Sequence, residues 1–391
     1  MMKVVHLFDW YLPSTLSWTS RLLDRLKPRV ELAIAAPWIV DGPFAHPDLQ
    51  QFRFPAQNWF FPRVKTEWEY PFWQRIFARS QRFLPSYPQW LHRRLAKSPP
   101  DILHAHFGPT GCLYVSMAKK LGRPLVVTFY GFDYQKILNR RPVFKTRYKR
   151  LFEVAESVVT ASPTGASALE KLGCPPQKIA IVPPSPDLDR FSFLPRSKQA
   201  GQLRLVQAAT FTPKKGHRTT LEAFALAVRR CPGLHLTLVG ERYDAATVAT
   251  VAGLIRKYAL DKHIDWLDFV PHADMPAFLG RFDAFVQPSE TTPEGDHEAT
   301  PVALLEAMAT GLPVLTTRHF DLPDLVPHGQ TGYLSDEKDA PGLASSMECF
   351  LNMKPSEYQM FSHNARRHVE QHFNIGLSAA RLLRVYEQIC P

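Results

Sequence analysis

Cysteine is scarce in this chain. Cys112, Cys174, Cys231, Cys349 and Cys390 are odd in number and widely spaced, with no Cys-x-x-Cys pair. That argues against a disulfide framework or a structural zinc site, and a reducing, cytoplasmic setting fits. No run of about 18 uninterrupted apolar residues occurs, so no transmembrane helix is expected. The start, Met1 to Asp9, is too short and polar for a signal peptide and reads as a first strand. No Gly-x-Gly-x-x-Gly follows a strand and no Gly-x-x-x-x-Gly-Lys-Ser/Thr is present, which removes the main support for a nicotinamide dehydrogenase or a P-loop NTPase. There is neither an internal repeat nor a low-complexity tract.

What the chain does have is length and positive charge. Its 391 residues exceed one ordinary core, so two domains are expected. With 45% hydrophobic and 21% charged residues the composition is that of a soluble globular protein. The net charge of +11 suggests an anionic partner: a nucleotide diphosphate, an anionic lipid surface or a nucleic acid.

Apolar strands alternate with helical stretches, which predicts an α/β fold of mostly parallel sheets with helices on both faces. Strands are expected at 4–8, 30–35, 102–107, 125–129, 157–160 and 179–182. Residues 183–203, Pro-rich and then polar, read as a linker. The alternation resumes with strands at 203–208, 234–239, 264–269 and 284–287 and helices at 217–229, 245–259 and 273–279. Two doubly wound domains follow, 1–190 and 200–372. A last helix within 373–391 repeats apolar residues at Leu382, Leu383, Val385, Tyr386 and Ile389, so one of its faces is buried. In such sheets ligands sit outside the carboxyl ends of the strands, which makes the cleft between the domains the expected site.

The most informative stretch is Glu298–Thr317. Thr300 reads as an N-cap, Pro301 as the first helical residue, Gly311 as the left-handed terminator and Val314–Thr317 as a buried strand. The helix start offers free N–H groups and partial positive charge to a phosphate. Glu298 before it could meet a sugar; Glu306 inside it could accept from a ribose diol. Thr210-Phe-Thr-Pro-Lys-Lys-Gly-His217, a strand end followed by a lysine pair, a glycine and a helix start, could clamp a diphosphate, with Lys215 as point charge. His104 and His106 share a strand face; a third metal ligand is not evident, and buried or orienting roles are preferred. Thr128-Phe-Tyr-Gly-Phe-Asp133 places Tyr130 and Asp133 at a strand end. The acidic loop Glu294–Glu298 could hold a divalent cation, but reads better as solvated, and neither metal nor cofactor is expected.

Residues 58–97 interleave eleven aromatics with eight Lys or Arg. This pattern suits an amphipathic helix on an anionic membrane surface, a helical insertion with aromatics turned inward, or, least of all, a stacking surface for nucleic acid; nucleic acid is not among the expected partners.

Together these segments resemble the retaining nucleotide-sugar glycosyltransferases of family 4, with the two-Rossmann-domain GT-B architecture. The carriers are Glu298-x7-Glu306 with Glu-Ala-Met-Ala-x-Gly-x-Pro-Val, Lys-Lys-Gly-His217, Val270-Pro-His-Ala-Asp-Met-Pro276, Phe285-Val-Gln-Pro-Ser289 and Gly329-Gln-Thr-Gly-Tyr-Leu334. In the first half they are His104–Gly111 and Leu172–Pro183. The loop Thr292–Pro301 is most similar to the colanic acid and amylovoran exopolysaccharide branch.

The resemblance implies a metal-independent hexosyltransferase working from the cytoplasm, or peripherally on the inner face of the plasma membrane. Its donor would be a nucleotide-sugar, UDP-linked by preference and GDP-linked otherwise, and its acceptor a glycan or lipid-linked glycan. It implies ribose binding by Glu306, diphosphate binding by Lys215, donor sugar and phosphate held by Glu298 and the backbone of Ala299, Thr300, Pro301 and Val302, and base contacts from Phe269 and Val270. Glu298, Lys215, Tyr130 and Asp133 would be the catalytic set, and His106, Tyr130, Ser14 and Thr15 the acceptor set. The last helix would pack back on the first domain. Retention in the family is attributed to front-face attack with the departing phosphate as base. The chain departs from the family at Thr210, where an Arg is usual and Arg218 or Arg242 could substitute, at Tyr130 in place of His, and at Ala299 in place of Gly. An alternative is a degenerate member that binds nucleotide-sugar or glycan without turnover.

Overall fold

The computed structural model describes residues 1–11, 17–39, 45–53 and 87–390. Ser14, Thr15 and residues 58–86 of the aromatic–basic segment lie outside them. The chain divides into two units, Met1–Pro183 with Gly376–Pro391, and Pro184–Ile375.

The first unit is a seven-stranded parallel sheet. Its strands are β1 (Met2–Leu7), β3 (Val30–Ala36), β5 (Gln50–Arg53), β6 (Ile102–His106), β7 (Leu125–Phe129), β8 (Ser157–Thr160) and β9 (Ile179–Ile181); the short β2 (Trp10–Tyr11) and β4 (Trp38–Ile39) pair apart from it. The spatial order β5-β3-β1-β6-β7-β8-β9 reverses direction between β1 and β6. Every residue of β6, β7 and β8 is buried, as expected for strands covered on both faces. Its helices are α1 (Ser17–Leu26), α2 (Tyr87–Leu95), α3 (Gly108–Leu121), α4 (Lys136–Arg140), α5 (Val143–Val154) and α6 (Pro163–Lys171).

The second unit repeats the plan with six parallel strands: β10 (Leu203–Ala208), β11 (Leu234–Val239), β12 (Ile264–Leu267), β13 (Ala284–Gln287), β14 (Val314–Thr317) and β15 (Gly332–Ser335), ordered β12-β11-β10-β13-β14-β15. The reversal falls between β10 and β13. Its helices are α7 (His217–Val228), α8 (Ala245–Lys257), α9 (Met275–Leu279), α10 (Val302–Ala309), α11 (Leu322–Leu325), α12 (Ala340–Asn352) and α13 (Pro355–His372). One apolar cluster packs α7, α8 and α12 on one face of the sheet, and a second packs α9, α10 and α13 on the other.

The stretch read as a linker is welded to this unit. Phe191 is buried in the second cluster. Arg196 donates to the carbonyls of Leu279, Phe282 and Thr310 and to the Thr310 hydroxyl, which satisfies the carboxyl end of α10. The last helix, α14 (Ile375–Ile389), belongs from Gly376 onward to the first unit, where Leu382 and Tyr386 are fully buried. Helix α10 begins one residue later than expected. Pro301 is extended, with ψ 108°, and is the cap residue. The Thr300 hydroxyl donates to buried Asp321 at 3.3 Å instead of capping. Gly311 is left-handed, with φ 85°.

Candidate functional site

In a doubly wound sheet the two loops that leave the strands flanking the reversal diverge and open a crevice between them. In the second unit those loops follow β10 and β13, and they carry Lys215 and Glu298. The chain after β10 makes a single turn, Pro213–Lys215, and enters α7 through Gly216 at φ 68°. A Cβ at Gly216 would lie 1.9 Å from the Pro288 carbonyl oxygen, so only glycine lets the two loops approach. The Lys215 ammonium and the Glu298 carboxylate meet in an ion pair, both largely buried. Burial alone would raise the Glu298 carboxyl, but Lys215 and Lys214 outweigh it and hold it at about 2. Burial draws the Lys215 ammonium below the usual lysine range, and Glu298 opposes that pull. Glu298 is therefore ionised at neutral pH. Lys214 beside it reaches the His297 carbonyl at 3.3 Å and Asp296 at 3.6 Å, so the acidic loop is neutralised by lysines.

Three residues that no sequence pattern singles out hold this arrangement. The backbone N–H of Glu298 donates to His319 Nε2 at 3.0 Å, which leaves the His319 proton on Nδ1, facing Glu337 at 2.5 Å. Glu337 also accepts from the Thr291 backbone at 2.8 Å, tying the entrance of the same loop. His319 and Glu337 sit on separate loops 18 residues apart, a spacing that carries no pattern. His272 Nε2 lies 2.9 Å from Glu306 Oε1; His272 stands inside a motif quoted above, but nothing in that motif says its ring reaches the α10 carboxylate. Glu306 itself is 8% exposed, five residues into α10 from its cap. Ala299, Thr300 and Pro301 are buried, Val302 is half-buried, and the first backbone hydrogen bonds of α10 are accepted by Pro301. Thr210 is half-buried at the exit of β10. Arg242 is engaged elsewhere: it pairs with Asp268 at 2.5 Å and lies over Trp266, 4.6 Å from the ring centre. Arg218 pairs with Glu222 on the exposed side of α7. Neither arginine is placed beside Lys215 by these contacts. Phe269 is 70% exposed, and Val270 packs at the edge of the second cluster.

The first unit brings together a different set. Its reversal lies between β1 and β6, where His6 pairs in register with His104. His106 follows on the same face, its ring stacked on His104 with centroids 4.6 Å apart. Burial drives His6 down to about 3 and His104 and His106 well below the usual histidine range, so all three are neutral. They form a hydrogen-bonded chain. Tyr130 Oη meets His106 Nδ1 at 2.5 Å, and His106 Nε2 meets His6 Nδ1 at 2.9 Å. His6 Nε2 faces Tyr386 Oη at 3.5 Å, Tyr386 Oη meets His104 Nδ1 at 2.6 Å, and His104 Nε2 meets Thr128 Oγ1 at 2.7 Å. Among the described residues this trio is the one histidine and acid cluster close enough to hold a metal. Every ring nitrogen in it already has a partner, so its polar groups are satisfied without a cation.

Two expectations need correction here. Asp133 is fully buried and accepts from the backbone N–H groups of Tyr130 at 2.9 Å and Gly108 at 3.0 Å. It clamps the β7 exit to the start of α3 and is not presented to a ligand. Burial raises its carboxyl to about 6 against the pull of those N–H groups. The Tyr130 hydroxyl turns inward to His106, and its half-buried ring lies between Phe107, with centroids 4.7 Å apart, and buried Trp18, edge-on at 5.4 Å.

Comparison with known proteins agrees with this layout. Residues 192–368 match the model for glycosyl transferases group 1, and residues 42–190 match that for glycosyltransferase family 4. The colanic acid biosynthesis glycosyltransferase WcaL of Escherichia coli K12 is 34% identical over 283 residues, which are 70% of this chain and 67% of that one. The chain is a family 4 glycosyltransferase. The amylovoran biosynthesis glycosyltransferase AmsK of Erwinia amylovora is 30% identical over 294 residues, 74% of this chain and 70% of that one. Among solved structures, Anabaena HepE in complex with UDP superposes with a TM-score of 0.76 at 17% identity, over 99% of this transferase and all of HepE. That likeness establishes the shared GT-B fold.

Proposed function

We propose that this glycosyltransferase moves a hexose, with retention, from a nucleotide-sugar, UDP-linked by preference and GDP-linked otherwise, to a glycan or lipid-linked glycan in bacterial exopolysaccharide assembly. The observation that carries the reading is the Lys215–Glu298 ion pair in the switch-point crevice of the second unit. At rest each charge neutralises the other. A diphosphate entering the crevice competes for the ammonium and frees Glu298 to accept from sugar hydroxyls. The charge that grows on the leaving diphosphate is then met by Lys215 and by the free N–H groups at the start of α10. These groups supply positive charge without a metal ion. Glu306, at the depth where it accepts from His272, is assigned to the ribose diol. The sugar C1–O bond to the diphosphate breaks, the acceptor oxygen bonds C1 on the same face, and its proton passes to the departing diphosphate.

UDP and UDP-glucose complexes of HepE support the donor class, and the assigned pathways of WcaL and AmsK support the acceptor class. A panel of nucleotide-sugars, scored together for thermal shift and release of free nucleotide, tests the reading. Turnover with a UDP-hexose that persists in chelator and yields a product of unchanged anomeric configuration is expected. Stabilisation by UDP with no release from any donor favours instead the non-catalytic binder.

A further inference from the structure

The charge of the chain divides unevenly. Residues 1–183 with 376–391 hold 28 Lys and Arg against 13 Asp and Glu, net +15, whereas residues 184–375 hold 19 against 23, net −4. The unit that carries Lys215 and Glu306 is therefore acidic overall, and a nucleotide diphosphate does not account for the excess of cations.

Within the first unit the excess gathers on one helical layer. Helix α3 packs between α2 and α5 on the sheet. Neither α2 nor α3 contains an acid, and α5 contains one, Glu153, in its last turn. Between Asp133 and Glu153 there are seven Lys and Arg and no Asp or Glu. Phe144, Tyr148, Leu151 and Phe152 turn into the core, which fixes the opposite face of α5 outward. Lys145, Arg147, Lys149 and Arg150 are exposed there, and none of them makes an ion pair among the described residues. On the same layer α2 exposes Arg93 and Arg94, and α3 exposes Lys119 and Lys120.

Apolar side chains stand out among these cations. Leu113 on α3 is 54% exposed and Val143 at the start of α5 is 52% exposed. Unpaired cations attract any polyanion, but aliphatic side chains neither stack on bases nor bind phosphate. They gain by entering an acyl boundary, as in helices that lie on bilayers. Cations without acids, interspersed with aliphatics, are the complement of an anionic lipid surface.

We propose that the α2–α3–α5 layer of the first unit docks on an anionic bilayer. Lys145, Lys149 and Arg150 would supply headgroup attraction, and Leu113 and Val143 shallow insertion. None of the residues named falls within 58–86, and the proposal does not depend on which sugar the enzyme transfers.

The test is co-sedimentation of the full chain with phosphatidylcholine vesicles, with and without phosphatidylglycerol. The unaltered chain is expected to bind only the anionic vesicles and to be released by salt, because an exposed charge is screened within about 10 Å at 0.1 M. The triple variant Lys145→Glu, Lys149→Glu, Arg150→Glu should bind about a hundredfold more weakly, at roughly fivefold for each cation removed from an anionic surface. It should keep its circular dichroism and its thermal shift with UDP. The pair Leu113→Ser, Val143→Ser preserves charge and should still weaken anionic-vesicle binding. Failure of the unaltered chain to bind anionic vesicles overturns the proposal, as does undiminished binding by the triple variant. Preferential binding to duplex DNA, lost in the triple variant, overturns it in favour of nucleic acid. Should the triple variant unfold, the Leu113 and Val143 pair decides the matter alone, and unchanged binding there sinks it.

Discussion

Replacing Lys215 by methionine leaves a carboxylate buried without its counter-charge, and the structure sets the size of the effect. Glu298 is held at about 2 against an ordinary carboxyl value of 4.5; at ~1.4 kcal/mol per unit, its environment favours the ionised form by ~3 kcal/mol. Lys215 shares that effect with Lys214, and breaking one side of a buried pair costs about 3–5 kcal/mol, so Lys215→Met should destabilise the second unit by a few kcal/mol at pH 7. The cost has a defined pH dependence. The native carboxyl titrates below the unfolded one, so the stabilisation is complete above 4.5 and is lost as pH falls towards 2. The difference between wild type and variant should shrink over that window. Glu298→Gln alone should also destabilise, because it strands the ammonium. The double variant should be less destabilised than the two single losses added together, since neither charge is then left alone. Trp266 is the sole tryptophan of the second unit, so the 19F resonance of a fluorotryptophan there follows that unit through a urea titration. Strict additivity of the two substitutions would refute the coupling, and a Lys215→Met cost below ~1 kcal/mol would refute the burial argument.

The first unit should be acid-sensitive in its own right. His6, His104 and His106 stay neutral when folded and take up protons when unfolded, so stability falls as pH drops below 6.5, by up to ~1.4 kcal/mol per histidine per pH unit. Asp133, raised to about 6, works in the opposite sense and offsets one of the three; a denaturation midpoint unchanged between pH 7.5 and 5.5, read by the tryptophans of that unit, would contradict this. Gly216→Ala forces a Cβ to within 1.9 Å of the Pro288 carbonyl at a positive φ, so nucleotide binding should drop at least tenfold, and calorimetry with UDP checks it. Arg196→Met strands the Phe282 carbonyl and takes one of two donors from the carbonyls of Leu279 and Thr310, and should cost about 1–3 kcal/mol in urea denaturation of the second unit while leaving UDP affinity unchanged. Glu306→Ala should abolish transfer while the chain remains folded; normal transfer would show that the ribose is held elsewhere.

The alternation of apolar strands and amphipathic helices was legible because burial on both faces of a parallel sheet demands it. Leu125–Phe129, Leu203–Ala208 and Ala284–Gln287 coincide with their predicted bounds. The Gly311 stop was legible because a left-handed residue leaves few choices. The cap at Thr300 was misread because cap preferences describe a free helix end; here buried Asp321 takes the hydroxyl first. Asp133 enters the catalytic set through the family resemblance and its place at a strand end, and the sequence does not say that the N–H groups of Tyr130 and Gly108 converge on it. His6 and Tyr386 were invisible for a similar reason. They stand 380 residues apart, and the register of β1 on β6 together with the return of α14 brings both to His104.

The two reversal points differ in their chemistry. At the β1–β6 reversal the polar groups are uncharged and satisfy one another through the chain from Tyr130 to Thr128. Such a floor carries no net charge. At the β10–β13 reversal the floor is an ion pair, two charges that neutralise each other only until a third arrives. In the proposed function an anion entering there would release a carboxylate as it binds the lysine, which would couple phosphate capture to sugar capture by a single bond exchange. The same coupling makes Lys215→Met a stringent test. It removes the phosphate contact and strands Glu298 in a buried, unpaired state, so sugar release should fail even at donor concentrations that saturate the wild type.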